Sequence, residues 1–253
     1  MSGETRRLGP GAYLLDGEKV VSVSTVKGNW PKPGLTKWAA NTCGAYAADH
    51  WEWLTHRPAM EAQSLIAGAP WRDLQAAGVR GTKIHTFAQR VTLGAEVEIP
   101  EDYAGYVEAA VKFLDEWQPT EERIETSVFS RKHKYAGTFD LMCMLPGLGL
   151  ALLDYKTGRK GPYGDTALQL AGYGNAEFML IDGIEVPMPP IDFYGVIWPH
   201  ADGTYDLYPF TVTERTFRLF LYVQQTIIHK DFIEREAKGF AIPPPRAATE
   251  VPA

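Results

Sequence analysis

The chain has 253 residues, with 25 lysines and arginines against 31 aspartates and glutamates, and a formal net charge of −6 at pH 7. A chain of this length buries a core without staples, and its 45% hydrophobic content excludes disordered and collagen-like classes. The acidic balance argues against a protein that coats nucleic acid by bulk positive charge, although it says nothing about a local basic groove.

Two cysteines are present, Cys43 and Cys143, with no Cys-x-x-Cys spacing near either. A disulfide framework, a zinc ribbon and a four-cysteine iron–sulfur cluster are therefore unsupported. The longest apolar run, Leu141 to Leu153, is broken by a proline and two glycines and is shorter than the ~20 residues that span a bilayer. No apolar stretch follows the first seven residues, so we expect no secretory signal and a cytoplasmic protein.

Apolar spacing predicts the following elements in chain order. A strand is expected at 20–26, a helix at 35–54, a helix beginning at the N-cap candidate Thr82, and a helix at 103–117. A period of two then predicts three consecutive antiparallel strands at 124–129, 135–144 and 150–156. A helix at 165–180, strands at 191–199 and 205–210, and a last helix from the N-cap candidate Thr213 to 238 follow.

This order of elements predicts an α/β (α+β) fold, in which a central mixed β-sheet is flanked by helices. We expect a single domain over 1–242, with a helical part at 35–118 and a core at 120–238, and a disordered proline-rich tail at 243–253. The aromatic residues of the first helix should line the core or a groove; they are Trp38, Tyr46, Trp51 and Trp53.

Two aspartates are the sharpest chemical signal. Asp140 and Asp154 each lie seven residues from Gly147, the centre of a predicted hairpin, so they should face each other on one side of the sheet. Two carboxylates at that spacing repel each other unless a positive charge lies between them, and a divalent cation would supply it. Lys156 lies two residues after Asp154 and should point to the same face.

A salt bridge between Asp154 and Lys156 on a solvated sheet face is the plainer alternative. The preceding run Leu150–Leu153 is continuously apolar, as in a strand that is buried on both faces. Charged residues in such a strand are costly without a functional reason, which favours a site. Leu153 and Tyr155 should point to the opposite layer.

His85, Gln169 and Tyr173 are further candidates. His85 would fall in the first turn of its predicted helix, where the dipole keeps imidazole neutral and able to bind a metal; an ordinary core or surface histidine is the alternative. Gln169 and Tyr173 lie four residues apart on one helix face, or are simply an exposed glutamine and a core tyrosine. Gly172 and Gly174 in that helix suggest close packing against the sheet or a ligand.

Taken together, these motifs resemble the RecB-type branch of the PD-(D/E)XK nuclease superfamily, found in helicase-nucleases, CRISPR-associated nucleases and bacteriophage exonucleases. The resemblance rests on Gly137–Asp140, Leu153–Gly158 and Gln169–Tyr173 in that order. Gly81–His85 resembles the family's histidine helix, and 21–25 with 35–38 resembles its opening segment. The likeness covers roughly residues 20–180 and implies a restriction-endonuclease-like core, so that the expected single domain is a nuclease domain.

The resemblance also implies roles for individual residues. His85, Asp140, Asp154 and the backbone carbonyl of Tyr155 would bind Mg²⁺ or Mn²⁺. Lys156 would position or activate the attacking water, and Gln169 and Tyr173 would line the active site and hold the DNA strand.

The activity implied is metal-dependent hydrolysis of DNA phosphodiester bonds. An exonuclease of DNA recombination, repair or phage DNA metabolism is favoured, in the cytoplasm of a bacterium or a phage-infected host. Many relatives bind an iron–sulfur cluster through four cysteines, which this chain cannot do with two. Functions tied to that cluster are therefore not expected.

Several residues are candidates for secondary roles. Contacts to the DNA backbone could come from Arg159 and Lys160, or from the hairpin-tip residues Arg131, Lys132 and Lys134, although basic loop tips are usually only solvated. Trp30, Trp38 and Trp71 could stack on bases, with core packing as the alternative. Glu125 is a candidate for a further acid of the site, but a register shift of one residue would turn it to the wrong face.

Two other functions compete with a nuclease: a catalytically silent nucleic-acid-binding module on the same fold, and a metal-dependent hydrolase of small phosphoesters. A binding module has no need of a buried acid pair, which counts against the first. The chain has no phosphate loop of the Gly-x-x-x-x-Gly-Lys type, so it would act alone or rely on a separate helicase or recombination protein to open duplexes. Exo- or endonuclease action, strand polarity, strand preference, the number of metals and the oligomeric state are left open.

Overall fold

The computed structural model describes residues 4–92, 95, 98–158, 161–237 and 239–241, without the side chains at 85, 88, 89, 91, 92 and 122. The strands in this part of the chain are β1 (Arg6–Gly9), β2 (Ala12–Leu15), β3 (Glu18–Ser22), β4 (Thr120–Ser130), β5 (Tyr135–Leu145), β6 (Gly149–Tyr155), β7 (Phe178–Ile181), β8 (Ile184–Pro187), β9 (Phe193–Pro199) and β10 (Tyr205–Pro209). The α-helices are α1 (Val23–Gly28), α2 (Pro33–Asp49), α3 (Trp51–Thr55), α4 (Ala59–Thr92), α5 (Glu101–Trp117), α6 (Thr166–Gly174) and α7 (Glu214–Ile228), and a π-helical turn follows at Phe232–Glu236.

These strands form one mixed sheet. Its main path is β1-β2-β3-β5-β4-β7-β8, and β6 joins it by pairing with β5 and with β9, which in turn pairs with β10. Two pairs are parallel, β3 with β5 and β6 with β9, and the other pairs are antiparallel. The predicted mixed sheet flanked by helices is confirmed.

Helices cover both faces of the sheet. On one face α1, α6 and α7 bury Val23, Tyr173 and Phe220 against the strands. On the other face α5 buries Phe113 in a second cluster that contains Leu153 and Tyr155 of β6. β6 is therefore buried on both sides, as its continuous apolar run predicts.

One edge of β5 is shared by two strands. β3 runs parallel to its first residues, Tyr135 and Ala136, whereas β6 pairs with Leu141–Leu145 farther along. The segment between these two ladders includes Thr138 and Asp140, which both line a cavity. The fold therefore opens a site in the middle of a buried strand.

The strands predicted at 124–129, 135–144, 150–156, 191–199 and 205–210 are confirmed as β4, β5, β6, β9 and β10. The strand predicted at 20–26 is wrong in its second half. The Ser22 side chain accepts a hydrogen bond from the Thr25 backbone N–H at 3.0 Å and caps α1, which begins at Val23. Local capping therefore ends the strand where apolar spacing alone extends it.

The prediction that a helix begins at Thr82 is wrong. Thr82 lies inside the 34-residue α4, and its hydroxyl donates to the Gly78 carbonyl at 3.1 Å instead of capping a terminus. His85 consequently does not lie in a first helical turn. The dipole argument for a neutral imidazole at that position fails with it.

Two other predicted helices are too long. The helix predicted at 165–180 ends at Gly174, and β7 and β8 follow. The last helix begins after Thr213, which caps it as predicted, but α7 ends at Ile228. Strands β1 and β2 have no counterpart in the prediction.

Not all the aromatic residues of the helical part are buried as expected. Trp51 and Trp53 are 65% and 42% exposed. The tail predicted at 243–253 lies outside the described residues. Within the described residues, no helix is both long and apolar enough to cross a bilayer.

Candidate active site

The hairpin register places the two aspartates opposite each other. β5 and β6 pair Met142 with Leu152 and Leu141 with Leu153, so the next position along each strand sets Asp140 against Asp154. Both line one cavity of about 780 Å³. The register predicted from the equal distances of the two aspartates to Gly147 is thus the register found in the structure.

Asp154 is the centre of a buried polar network. Its side chain is 1% exposed and forms an ion pair with the Lys156 ammonium. The Gln169 side-chain amide donates to Asp154 Oδ1 at 2.8 Å and to the Tyr173 hydroxyl oxygen at 3.0 Å. The salt bridge of the plainer alternative is present, but it is buried against α6 and does not lie on a solvated face.

Asp140 is held by the backbone of the neighbouring strand. Its Oδ2 accepts a hydrogen bond from the Tyr155 backbone N–H at 2.7 Å. A carboxylate that accepts from a backbone N–H at this short distance has a fixed orientation. One carboxylate is thus positioned by the main chain and the other by a glutamine.

The site carries a positive ammonium and a neutral phenol at neutral pH. Burial lowers the pKa of Lys156, but the carboxylates of Asp154 and Asp140 outweigh it, so that this pKa is raised above its ordinary value. Burial raises the pKa of Tyr173 well above its ordinary value, and the same two carboxylates add to the increase. Tyr173 therefore stays a hydrogen-bond donor at every pH at which the protein would work.

Glycines near the site allow close packing. A Cβ on Gly137 would lie 2.6 Å from Cε1 of Tyr173, and one on Gly172 would lie 2.8 Å from Cε2 of Phe220. A Cβ on Gly174 would lie 2.3 Å from the hydroxyl oxygen of Tyr194. Gly174 therefore packs against the sheet, through Tyr194 of β9, as one of the two predicted uses has it, whereas Gly172 packs against helix α7.

His85 is a predicted metal ligand, but its side chain is not among the described side chains. Its backbone lies in α4, one turn after Gly81 and Thr82, and both of these line the cavity. Among the described side chains, no group of three or more His, Cys, Asp and Glu is arranged to hold a metal ion. The two aspartates nevertheless have the chemistry that Mg²⁺ requires, because it is commonly held by one or two carboxylates together with waters and substrate phosphates.

Glu125 reaches the same cavity. β4 pairs Ile124 with Leu141 and Thr126 with Phe139, which sets Glu125 opposite Asp140. Its backbone has φ = 46°, a left-handed conformation within a strand. Of the two registers that the sequence left open, the structure therefore has the one in which Glu125 points toward the cavity.

The residues predicted to contact DNA differ in their exposure and in their ion pairs. Arg131 forms ion pairs with Asp16 and Glu185 at 2.9 and 2.6 Å, so its charge is already compensated. Trp71 is 74% exposed and Trp30 is partly buried against the core. The remaining candidates are Lys132 and Lys134, which are exposed, Trp38, which is half-buried, and Arg159 and Lys160, which lie outside the described residues.

One wall of the cavity was not predicted from the sequence. The hairpin of β1 and β2 contributes Arg7, Pro10, Gly11 and Tyr13 to it. The signal was present, since Gly9-Pro10-Gly11 and Asp16-Gly17 are both turn sequences between short apolar segments.

The cavity brings together residues from three separate motifs, on β5, on β6 with the residue after it, and on α6. Comparison with known proteins adds no relative: the sequence matches no protein-family model and no curated protein.

Proposed function

We propose that the chain is a metal-dependent nuclease that hydrolyses DNA phosphodiester bonds, with exonuclease action favoured. The supporting observation is that Asp140, Asp154 and Lys156 share one cavity with Gln169 and Tyr173. Four of these side chains form one connected network of polar contacts around Asp154. The resemblance assigns the same five residues to an active site.

The energetics of the network favour a functional reading. Moving a carboxylate and an ammonium out of water costs several kcal/mol per ion, and an apolar pair of similar volume is often at least as stable. Asp154 is nevertheless buried in a strand whose neighbours are apolar. Buried charges with shifted pKa values that border a cavity are typical of catalytic sites.

Each residue has a role that follows from its contacts. Asp140 and Asp154 would hold the cation, and Gln169 keeps Asp154 in a fixed orientation. A bound Mg²⁺ or Mn²⁺ supplies Lewis-acid polarisation of a phosphoryl oxygen and of a water. Lys156, which is charged at neutral pH, would orient the attacking water and offset negative charge on the phosphoryl oxygens.

Tyr173 would contact the substrate strand. Its hydroxyl oxygen accepts the hydrogen bond from Gln169, which leaves its O–H to donate. Because its pKa is raised well above the ordinary value, the phenol does not add a negative charge that would repel a phosphate. It is thus suited to hold a backbone oxygen next to the two aspartates.

The test compares the parent chain with Lys156→Ala on linear and closed circular DNA, in Mg²⁺, in Mn²⁺ and in EDTA. Lys112→Ala is the matched control, because Lys112 is an exposed lysine of α5 that pairs only loosely with Glu116 at 3.9 Å. We expect the parent and the control to degrade linear DNA in metal but not in EDTA. Lys156→Ala should be slower by roughly 10²-fold or more, as for the loss of one preorganised donor.

Intact DNA in both metals, or equal rates for the parent and Lys156→Ala, would show that the proposal is wrong. Binding of DNA without cleavage would favour a catalytically silent nucleic-acid-binding module. Cleavage of a small phosphoester but not of DNA would favour a metal-dependent hydrolase of small phosphoesters. Degradation of linear DNA with survival of closed circles would identify exonuclease action.

A further inference from the structure

The N-terminal hairpin of β1 and β2 forms a wall of the proposed active site. Arg7 lies on β1, Tyr13 lies on β2, and both line the cavity together with Pro10 and Gly11 of the turn between them. No motif of the resemblance includes these residues. The hairpin therefore adds side chains to the site that the five motif residues do not supply.

The hairpin is anchored to the core. Tyr13 and Leu15 are buried, and the Tyr13 ring packs edge-on against Phe129 at a centroid distance of 6.0 Å. The hydroxyls of Tyr13 and Thr138 share a hydrogen bond of 2.9 Å, and Thr138 lies two residues before Asp140 on β5. Arg7 is thus carried by a fixed strand and not by a free terminus.

The register of the hairpin gives its two arginines different surroundings. Arg7 pairs with Tyr13 and so shares the face that looks onto the cavity. Arg6 pairs with Leu14, on the other face, and forms an ion pair with Glu4 at 3.0 Å. The chain therefore contains a neighbouring arginine of the same type that does not line the site.

Within the cavity, Arg7 faces Glu125. The distance from Arg7 Nη1 to Glu125 Oε2 is 3.4 Å, longer than the 2.7–2.9 Å that is usual for a charge-assisted hydrogen bond. Both side chains are about one-third exposed, so water screens the attraction. This ion pair is consequently weak, and its guanidinium can exchange the carboxylate for a better acceptor at small cost.

We propose that Arg7 binds a backbone phosphate of the DNA strand that enters the cavity and exchanges Glu125 for it; this inference rests on the proposed nuclease function. A guanidinium presents a planar fork of donors that matches two phosphate oxygens. Glu125, opposite Asp140, places a negative charge that holds the guanidinium toward the site while the strand is absent. When the strand binds, its phosphate replaces Glu125 as the partner of the guanidinium and forms the shorter, bidentate contact.

The test measures the affinity of a labelled single-stranded oligonucleotide at low salt in EDTA, where cleavage does not intervene. Arg7→Gln should weaken binding about tenfold, as for the loss of a hydrogen bond between charged groups. Its plot of log affinity against log salt should be shallower by about 0.7, the value for one phosphate contact on a single strand. Arg7→Lys should recover part of the affinity, and Arg6→Gln should bind as the parent does.

Glu125→Gln separates a phosphate contact from a merely structural ion pair. If the pair only braces the hairpin, Arg7→Gln and Glu125→Gln lose the same contact and change affinity in the same direction. If Arg7 exchanges Glu125 for a phosphate, Glu125→Gln tightens binding, because it removes the negative charge that competes for the guanidinium and repels the phosphate. Thermal unfolding of both variants checks that the fold is kept.

Opposite effects of the two substitutions on DNA affinity would support the inference. Changes in the same direction, an Arg7→Gln chain that binds like the parent, or a parent that binds no oligonucleotide at low salt would each overturn it. The proposed function is tested separately by cleavage in Mg²⁺ and Mn²⁺. If the two substitutions have opposite effects on affinity but the parent chain cleaves no DNA, the Arg7 phosphate contact is supported and the proposed nuclease function is wrong.

Discussion

Gly137→Ala is a direct test of how the site is packed. Gly137 begins the segment of β5 between its ladders with β3 and β6, and a Cβ there would lie 2.6 Å from Cε1 of Tyr173 and 2.9 Å from Cγ2 of Val23. Real Cβ atoms essentially never come within 3.0 Å of a heavy atom outside their own residue and its chain neighbours, so the Tyr173 ring and Val23, or the strand, must move. Movement of the ring would pull its hydroxyl away from Gln169, which it contacts at 3.0 Å.

The magnitude follows from the packing around the ring. Tyr173, Val23 and Gly137 are all buried, so the inserted methyl group has no route to solvent. Overpacking of this kind costs about 1–3 kcal/mol. For a chain of this size each kcal/mol lowers the melting temperature by roughly 2–4 °C, so we expect a decrease of several degrees.

The assay is thermal and urea unfolding of Gly137→Ala beside the parent, with Gly44→Ala as the control. Gly44 lies within α2, and a Cβ there would meet nothing within 4 Å. Replacing a helix-interior glycine by alanine should stabilise the chain by up to about 1 kcal/mol. A Gly137→Ala chain that unfolds at or above the midpoint of the parent would refute the packing argument.

Two further predictions concern charge and metal. Hydrogen bonds from Arg131 lower the pKa values of Asp16 and Glu185 from 3.8 and 4.5, so their contribution to stability is complete above those values and is lost as pH falls through the lowered ones. Acid unfolding should therefore show a smaller loss of stability below pH 4.5 in Arg131→Met than in the parent, and equal pH profiles would contradict this. Mn²⁺ at about 100 times its Kd should stabilise the parent by about 2.7 kcal/mol, measured as a higher melting temperature, but should not stabilise Asp140→Asn. An unchanged melting temperature of the parent would count against a metal site.

The sequence was most informative where local chemistry and tertiary structure agree. The hairpin centred on Gly147 has one register that satisfies both its turn and its apolar faces, so the positions of Asp140 and Asp154 could be predicted. Gly147 itself has φ = 77°, the left-handed conformation that its place in the turn requires. Thr213 is a similar case, because its side chain caps α7 regardless of what the helix packs against.

Prediction failed where two Asp-Gly turn signals were overlooked. Asp16 and Gly17 have φ values of 51° and 84°, and Asp182 and Gly183 have 51° and 80°, the conformation of a type I′ hairpin turn. The first pair joins β2 to β3, and the second joins β7 to β8. Recognition of these turns would have ended the helix predicted at 165–180 earlier, and would have revealed β2, the strand that pairs with the strand carrying Arg7.

Other features could not be read from local sequence at all. The 34-residue α4 contains Pro70 and several glycines, which are typical helix breakers, so its continuity depends on tertiary contacts with α2 and α5. The left-handed conformation of Glu125 has no signal in a stretch that otherwise reads as a regular strand. Both affect what borders the cavity, since Gly81 and Thr82 of α4 and Glu125 all line it.

The division of β5 between two partners explains why a site can exist inside a buried sheet. β3 occupies the start of its edge and β6 the end, so the segment around Asp140 joins β6 partly through a side chain: the Asp140 carboxylate accepts the Tyr155 N–H at 2.7 Å. That bond ties the carboxylate to β6, the strand that carries Asp154 and that Lys156 directly follows. The charged groups are therefore fixed relative to one another by the sheet itself. The proposed hydrolysis would use this preorganisation, because groups that are already oriented need no reorganisation during a reaction.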